Sequence, residues 1–147
     1  MVPVIFANGG TIIQFAGDAI VAVWNAPIEQ PRHALAAART ALEMQRAIEA
    51  IVAEDPSLPR FRVGIATGAV LVGNVGSEEL RNYVAHGDAV NLAAQVQTGA
   101  KAGQVVVSAP TYALIRDLSS VRPLGRFAVK GKSEEVEAYV LDRVTDL

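Results

Sequence analysis

The stretch Gly9-Gly-Thr-Ile-Ile-Gln-Phe-Ala-Gly-Asp18, running on into Ala19-Ile-Val-Ala-Val-Trp24, decides the fold. Thr11–Phe15 and Ala19–Trp24 are β-type runs rich in branched apolar residues. They flank Ala16-Gly17-Asp18, a tight turn containing glycine, so the stretch reads as a hairpin. Asn25-Ala-Pro27 follows as a breaker. Asp18 sits at the hairpin tip. A carboxylate there, with Gly17 letting a ligand approach the backbone, suits a hard cation such as Mg²⁺. Taken alone, Gly-Asp is also ordinary turn chemistry.

Downstream, the pattern changes to helical spacing from roughly Pro31 to Ala53. Leu35, Ala38, Leu42, Ile48 and Val52 fall on one stripe, with Arg39, Glu43, Arg46 and Glu49 off it. Pro31 suits a first helical turn, and Asp55-Pro56-Ser57 stops the helix. Phe61–Ala66 and Ala69–Gly73 read as two more strands around Thr67-Gly68, and Asn82–Ala85 as a short one. His86-Gly87-Asp88 leads into a helix from about Ala89 to Ala100, with Asp88 as N-cap. After Lys101-Ala-Gly103 come a strand at Gln104–Val107, a short helix opened by Ser108-Ala-Pro110 and ending near Arg116, and strands at Arg126–Val129 and Val136–Leu141. Hairpins punctuated by helices predict an α+β fold, a mostly antiparallel sheet with helices packed on it.

The chain length of 147 residues fits one domain with one core. A net charge of −2 argues against a nucleic-acid binder, which would carry a basic face. With no cysteine in the chain, disulfides and thiolate metal sites are excluded, and a reducing, cytoplasmic setting is expected. No stretch approaches the ~20 apolar residues of a membrane span, so no membrane contact by this domain is expected. The apolar opening, Met1-Val-Pro-Val-Ile-Phe-Ala-Asn8, lacks the basic n-region of a signal peptide. It reads as the last turns of a helix whose beginning is absent.

Three further positions could carry chemistry. Asn91 lies in the first turn of the second long helix, beside backbone N–H groups that favour anions; an exposed capping residue would look the same. Lys130-Gly131-Lys132 could hold phosphates as point charges, or be a solvated basic turn. His33 and His86 make no site by themselves, and no Ser/His/Asp order, Walker-type loop or zinc-spaced His pair is present.

In their order along the chain these signals become specific. Gly9–Ala19, Arg62-Val-Gly-Ile-Ala-Thr-Gly68, Gly73-Asn-Val-Gly-Ser77, Gly87-Asp-Ala-Val-Asn-Leu-Ala93, Val105–Ser108 and Val129-Lys-Gly-Lys132 resemble the successive blocks of class III adenylyl and guanylyl cyclase catalytic domains. The resemblance covers essentially the whole chain. It implies one cyclase homology domain over residues 1–147, partial at its N-terminus, with a ferredoxin-like core whose first strand is missing. It also implies head-to-tail dimers, homodimeric or with another cyclase domain, that bind ATP (or GTP) at the interface. Two Mg²⁺ or Mn²⁺ ions are implied there, bound by two aspartates of one subunit.

By that resemblance Asp18 stands at the second metal aspartate, Asn91 at the ribose asparagine and Lys130 at a triphosphate-contacting lysine. Elsewhere the chain departs from the pattern. Gln14 replaces the base-selecting lysine or glutamate. Val84 replaces its aspartate or threonine partner. Gln95 replaces the transition-state arginine, and the first metal aspartate would lie upstream of Met1. A charged donor lost from a transition state costs a few kcal/mol, or roughly 10²–10³ in rate. The expectation is therefore a cyclase domain of cyclic-nucleotide signalling that is inactive or weak alone. Its alternatives are a non-catalytic regulatory or dimerising module and the metal-side half of a heterodimeric cyclase. A missing inner strand would also expose a sheet edge and favour self-association.

Overall fold

The computed structural model describes residues 2–16, 19–25, 30–57, 60–68, 71–76, 81–86, 88–127 and 136–145. In chain order the elements are α1 (Val2–Ala7), β1 (Thr11–Ala16), β2 (Ala19–Val23), α2 (His33–Glu54), β3 (Val63–Ile65), β4 (Leu71–Gly76), β5 (Arg81–His86), α3 (Asp88–Thr98), β6 (Val105–Ser108), α4 (Ala109–Ile115), β7 (Ser119–Phe127) and β8 (Val136–Val144). A short 3-10 turn, Arg116–Leu118, joins α4 to β7.

The opening hairpin forms as its pattern predicts. β1 and β2 pair antiparallel, with Phe15 opposite Ile20 and a register shift between Ile12 and Gln14. The glycine pair before it turns the chain out of α1. Gly9 adopts φ of 82°, in the region that favours glycine. Gly10 lies so close to Ile5 and to the Trp24 ring that a Cβ would collide with both. Trp24 Nε1 donates to the Asn8 carbonyl (3.1 Å), and Asn8 Nδ2 donates to Glu43 Oε2 (3.1 Å). These bonds tie the end of α1 to the hairpin and to α2.

α2 buries the predicted stripe. Leu35, Ala38, Ile48 and Val52 are buried, and Leu42 is half-buried. Its start differs from the sequence reading. Arg32 is the N-cap, and its carbonyl accepts the amide of Ala36 (2.9 Å). Pro31 therefore lies in the preceding turn and not in the first helical turn. Asp55 ends the helix as expected, donating its amide to the Ile51 carbonyl (3.0 Å).

A four-stranded sheet in the order β3-β6-β8-β7 forms the centre. Side chains alternate across it, as strand geometry requires. Val105, Val107 and Leu141 pack against α2 and α4, while Val106, Ala138 and Val140 pack against Leu92 and Val96 of α3. The result is three layers: α2 with α4, the sheet, and α3. β6 is buried at all four positions, which explains its unbroken Val-Val-Val run.

Three sequence expectations need correction. The strands on either side of Thr67-Gly68 do not pair with each other among the described residues. β3 pairs parallel with β6, and β4 pairs antiparallel with β5. A parallel pair requires a crossover, and the chain between β3 and β6 supplies it. β7 begins at Ser119 and not at Arg126. Pro123 and Gly125 disguise it, but Pro is tolerated on an edge strand, and a register shift between these two residues absorbs the irregularity. Helix α3 includes Asp88 and stops at Thr98, short of Ala100.

Gln45 is a buried polar group in α2. Its Nε2 donates to the carbonyls of Phe61 (3.0 Å) and Gln104 (3.2 Å), joining the helix to the segments that enter β3 and β6. Gln45→Ala removes both bonds and leaves a void. It is expected to cost about 2 kcal/mol, read as a lower urea midpoint. An unchanged midpoint would show that the two segments hold their places without it. Nearby, the exposed pair Arg60–Glu49 (2.6 Å) fastens the same loop to α2. The guanidinium's hydrogen bond holds the Glu49 carboxyl below its ordinary range.

Candidate active site

The residues singled out in the sequence distribute over the hairpin, the second hairpin and α3. Gln14 lies in β1 opposite Val21, immediately after the register shift. Val84 lies in β5 opposite Gly73. β1 and β5 lie against one another, so the strands carrying Gln14 and Val84 are neighbours although seventy residues separate the two positions. β5 ends at His86 and α3 begins at Asp88, so the strand of Val84 leads almost directly into the helix of Asn91.

On α3, Asn91 is exposed and Gln95 is half-buried. They are one turn apart, a spacing that puts both on one side of the helix. The buried row Ala89, Leu92 and Val96 takes the other side, with Leu92 and Val96 packed against the sheet. The sheet therefore fixes the rotation of α3, and with it the direction in which Asn91 and Gln95 face. Asn91 also lies in the first turn, where backbone N–H groups lack intrahelical acceptors.

Asp18 and Lys130 lie outside the described residues, and so does Gly87. The structure thus brings the Gln14 and Val84 strands together and sets Asn91 with Gln95 on one helix. Among the described residues no three His, Cys, Asp or Glu side chains gather as a metal cluster. Asp18, the carboxylate that the resemblance sets at a metal position, is not among those residues. No helix among the described residues is long and apolar enough to cross a membrane.

No pattern of residues in the sequence signals the adjacency of β1 and β5; only the family resemblance, which makes partners of Gln14 and Val84, implies it. The adjacency depends on two hairpins meeting in space, and neither carries a local signal for it.

The order of hairpin, long helix, crossover and sheet, with a polar helix start beside the second hairpin, defines the fold of a class III nucleotidyl cyclase domain. The sequence profile of the adenylate and guanylate cyclase catalytic domain matches residues 4–143. The chain belongs to this family. It is 40% identical over 142 residues to adenylate cyclase 1 of Rhizobium meliloti (strain 1021), covering 92% of this chain and 21% of that protein. The chain therefore spans about a fifth of that relative's length. Among solved structures, it is similar to the adenylyl cyclase CyaB from P. aeruginosa, with a TM-score of 0.87 and 32% identity over 99% of this chain and 79% of that one. A solved guanylyl cyclase gives a TM-score of 0.90 and 31% identity, covering 99% of this chain and 76% of that one. Similarity to an adenylyl and a guanylyl cyclase is thus almost equal.

Proposed function

We propose that residues 1–147 act as one cyclase domain that converts ATP to cyclic AMP and pyrophosphate at a dimer interface, slowly or not at all when alone. The carrying observation is the match of residues 4–143 to the cyclase catalytic domain. In this reaction the ribose 3′-oxygen bonds to the α-phosphorus and releases its proton. The bond from that phosphorus to the pyrophosphate oxygen breaks, and pyrophosphate leaves with the electron pair. Divalent ions, Mg²⁺ or Mn²⁺, stabilise the entering and leaving oxygens when bound.

The residues of this chain then divide the remaining work. Asp18 contributes one metal-binding carboxylate, and Lys130 places a positive charge at the triphosphate. Asn91 directs a neutral amide at the ribose from the exposed side of α3. Gln14 and Val84, carried by neighbouring strands, take the part of the base-selecting pair. Gln95 stands where a charged donor would meet the developing charge, with an amide in its place. The domain works in cytoplasmic signal transduction, as a homodimer or with a second cyclase domain.

A specific observation favours a second reading. Val84 has no side-chain hydrogen-bonding group, and Gln95 carries no charge. Such a chain could serve as a non-catalytic dimerising module, or as the metal-side half of a heterodimer whose partner supplies base recognition and arginine. The exposed amide of Asn91 fits the catalytic reading better, since a metal-side half has no use for it.

The test is turnover by purified protein with Mn²⁺ or Mg²⁺ and either ATP or GTP, at concentrations that favour dimers. A small yield of cyclic AMP is expected, with less from GTP. Absence of product from both nucleotides, with the protein folded, would overturn the catalytic reading in favour of the non-catalytic one.

A further inference from the structure

The motif Arg62-Val-Gly-Ile-Ala-Thr-Gly68 closes on Thr67 and Gly68, to which the proposed reaction gives no role. β3 and β6 run parallel, with Ile65 opposite Val107. Their C-terminal ends therefore lie side by side, and each carries a hydroxyl. Thr67 stands two residues beyond Ile65, and Ser108 one beyond Val107. Thr111, in the first turn of α4, joins them. Its Oγ1 lies 2.7 Å from Thr67 Oγ1 and 3.1 Å from Ser108 Oγ. Thr111 and Ser108 are 0% and 1% exposed, and Thr67 is half-buried. Three hydroxyls thus form one chain from β6 through α4 to the end of β3.

Two features give this chain a purpose beyond packing. Ser108 is the N-cap of α4, yet its side chain makes no capping bond. A serine there ordinarily accepts a backbone N–H of the first turn. Here its hydroxyl meets Thr111 instead. Paired buried hydroxyls add little stability over apolar groups of the same shape. They do add direction, because a hydrogen bond holds only over a narrow range of distance and angle. The second feature is where the chain ends. Gly68, next to Thr67, comes so near α3 that a Cβ on it would lie 3.1 Å from the Ala89 Cβ. Ala89 is buried in the first turn of α3, two residues before Asn91.

We infer that Thr67, held by Thr111 and Ser108, is a positioning residue for Asn91. The hydroxyl chain fixes the end of β3, and Gly68 backs directly onto Ala89. The first turn of α3 takes its place from that contact, and Asn91 takes its direction from the turn. Thr67 itself touches no substrate and acts only through the helix. The role of Asn91 rests on the cyclase reading, whereas the placement of the helix turn rests on the hydroxyl chain and the Gly68–Ala89 contact.

Amide hydrogen exchange tests the placement without any turnover. Thr67→Val keeps the shape of the side chain, removes its hydroxyl and leaves Thr111 bonded to Ser108. By helix geometry the Leu92 and Ala93 amides reach back to the carbonyls of Asp88 and Ala89. In Thr67→Val these two amides are expected to exchange on the order of tenfold faster, with Val106 and Val140 of the central sheet unchanged. Thr67→Ser retains the hydroxyl and is expected to exchange like wild type. Unchanged Leu92 and Ala93 amides in Thr67→Val overturn the inference. So does faster exchange throughout the sheet, which would make Thr67 a structural residue only. Turnover with Mn²⁺ and ATP tests the link to Asn91. Thr67→Val is expected to lower kcat roughly tenfold to a hundredfold with KM nearly constant. In an Asn91→Ala background it is expected to cause no further loss. A full further loss in that background, or a change confined to KM, overturns the inference. Absence of product from the wild-type protein sinks the cyclase reading instead, and the exchange result then decides the positioning by itself.

Discussion

Gly64→Val is expected to destabilise the domain by about 3 kcal/mol or more. In β3, Gly64 pairs with Val106 and lies directly beneath α3. A Cβ at this position would overlap the Ala93 carbonyl oxygen, the Gln97 amide nitrogen and the Gln97 Cβ. Two of these are helix backbone atoms, which cannot rotate aside as a side-chain end could. α3 must lift as a body or β3 must leave its partner. Lifting α3 draws Leu92, Val96 and Ala100 away from Val106 and Val140, the cluster that fills this side of the sheet. Gly64→Ala should lower stability in the same direction but less, because one carbon can be met by a small helix shift. Urea or thermal unfolding would show it, with the valine variant about ten degrees or more below wild type. A midpoint unchanged in both variants would mean that α3 does not rest on β3. The same displacement would turn Asn91 and Gln95 out of place, so any turnover should fall with the midpoint.

The parts of this architecture that are legible in sequence are those with a short-range cause. The β1–β2 hairpin announces itself through two branched apolar runs about a glycine turn. α2 does so through a stripe repeated over six turns, and β6 through three valines buried on both faces. Misread elements had distant or conflicting causes. Val63–Ile65 gives no local hint that it runs parallel to Val105–Val107, since that pairing is made across a crossover. The sequence reading starts β7 only at Arg126; Pro123 and Gly125 before it are poor strand formers, yet an edge position and a register shift accommodate them. At the candidate site, Asn91 and Gln95 could be placed on one helix from spacing alone. The meeting of the Gln14 and Val84 strands could not, because it is fixed by how two separate hairpins pack.

Gln95→Arg is expected to raise cyclic AMP formation by roughly 10²–10³, mainly through kcat. The position suits the change. Gln95 is half-buried and one turn beyond exposed Asn91, so an arginine can lay its aliphatic stem along α3 and bring its head to the solvent side. A charge there acts on the negative charge that develops as the phosphorus–oxygen bonds change, and less on the bound ground state. That difference predicts a rise in kcat with KM nearly constant. Gln95→Met, of similar length but without donors, should show no gain and separates charge from packing. Gln95→Lys should recover only part of the effect, because a point charge lacks the planar fork of a guanidinium. Steady-state rates with Mn²⁺ and ATP, beside unfolding midpoints for each variant, would decide the matter. A folded arginine variant with wild-type kcat would remove Gln95 from the reaction. The neutral amide would then be no lesion in a catalytic site, and the case for the dimerising module would rest on Val84, which has no side-chain hydrogen-bonding group.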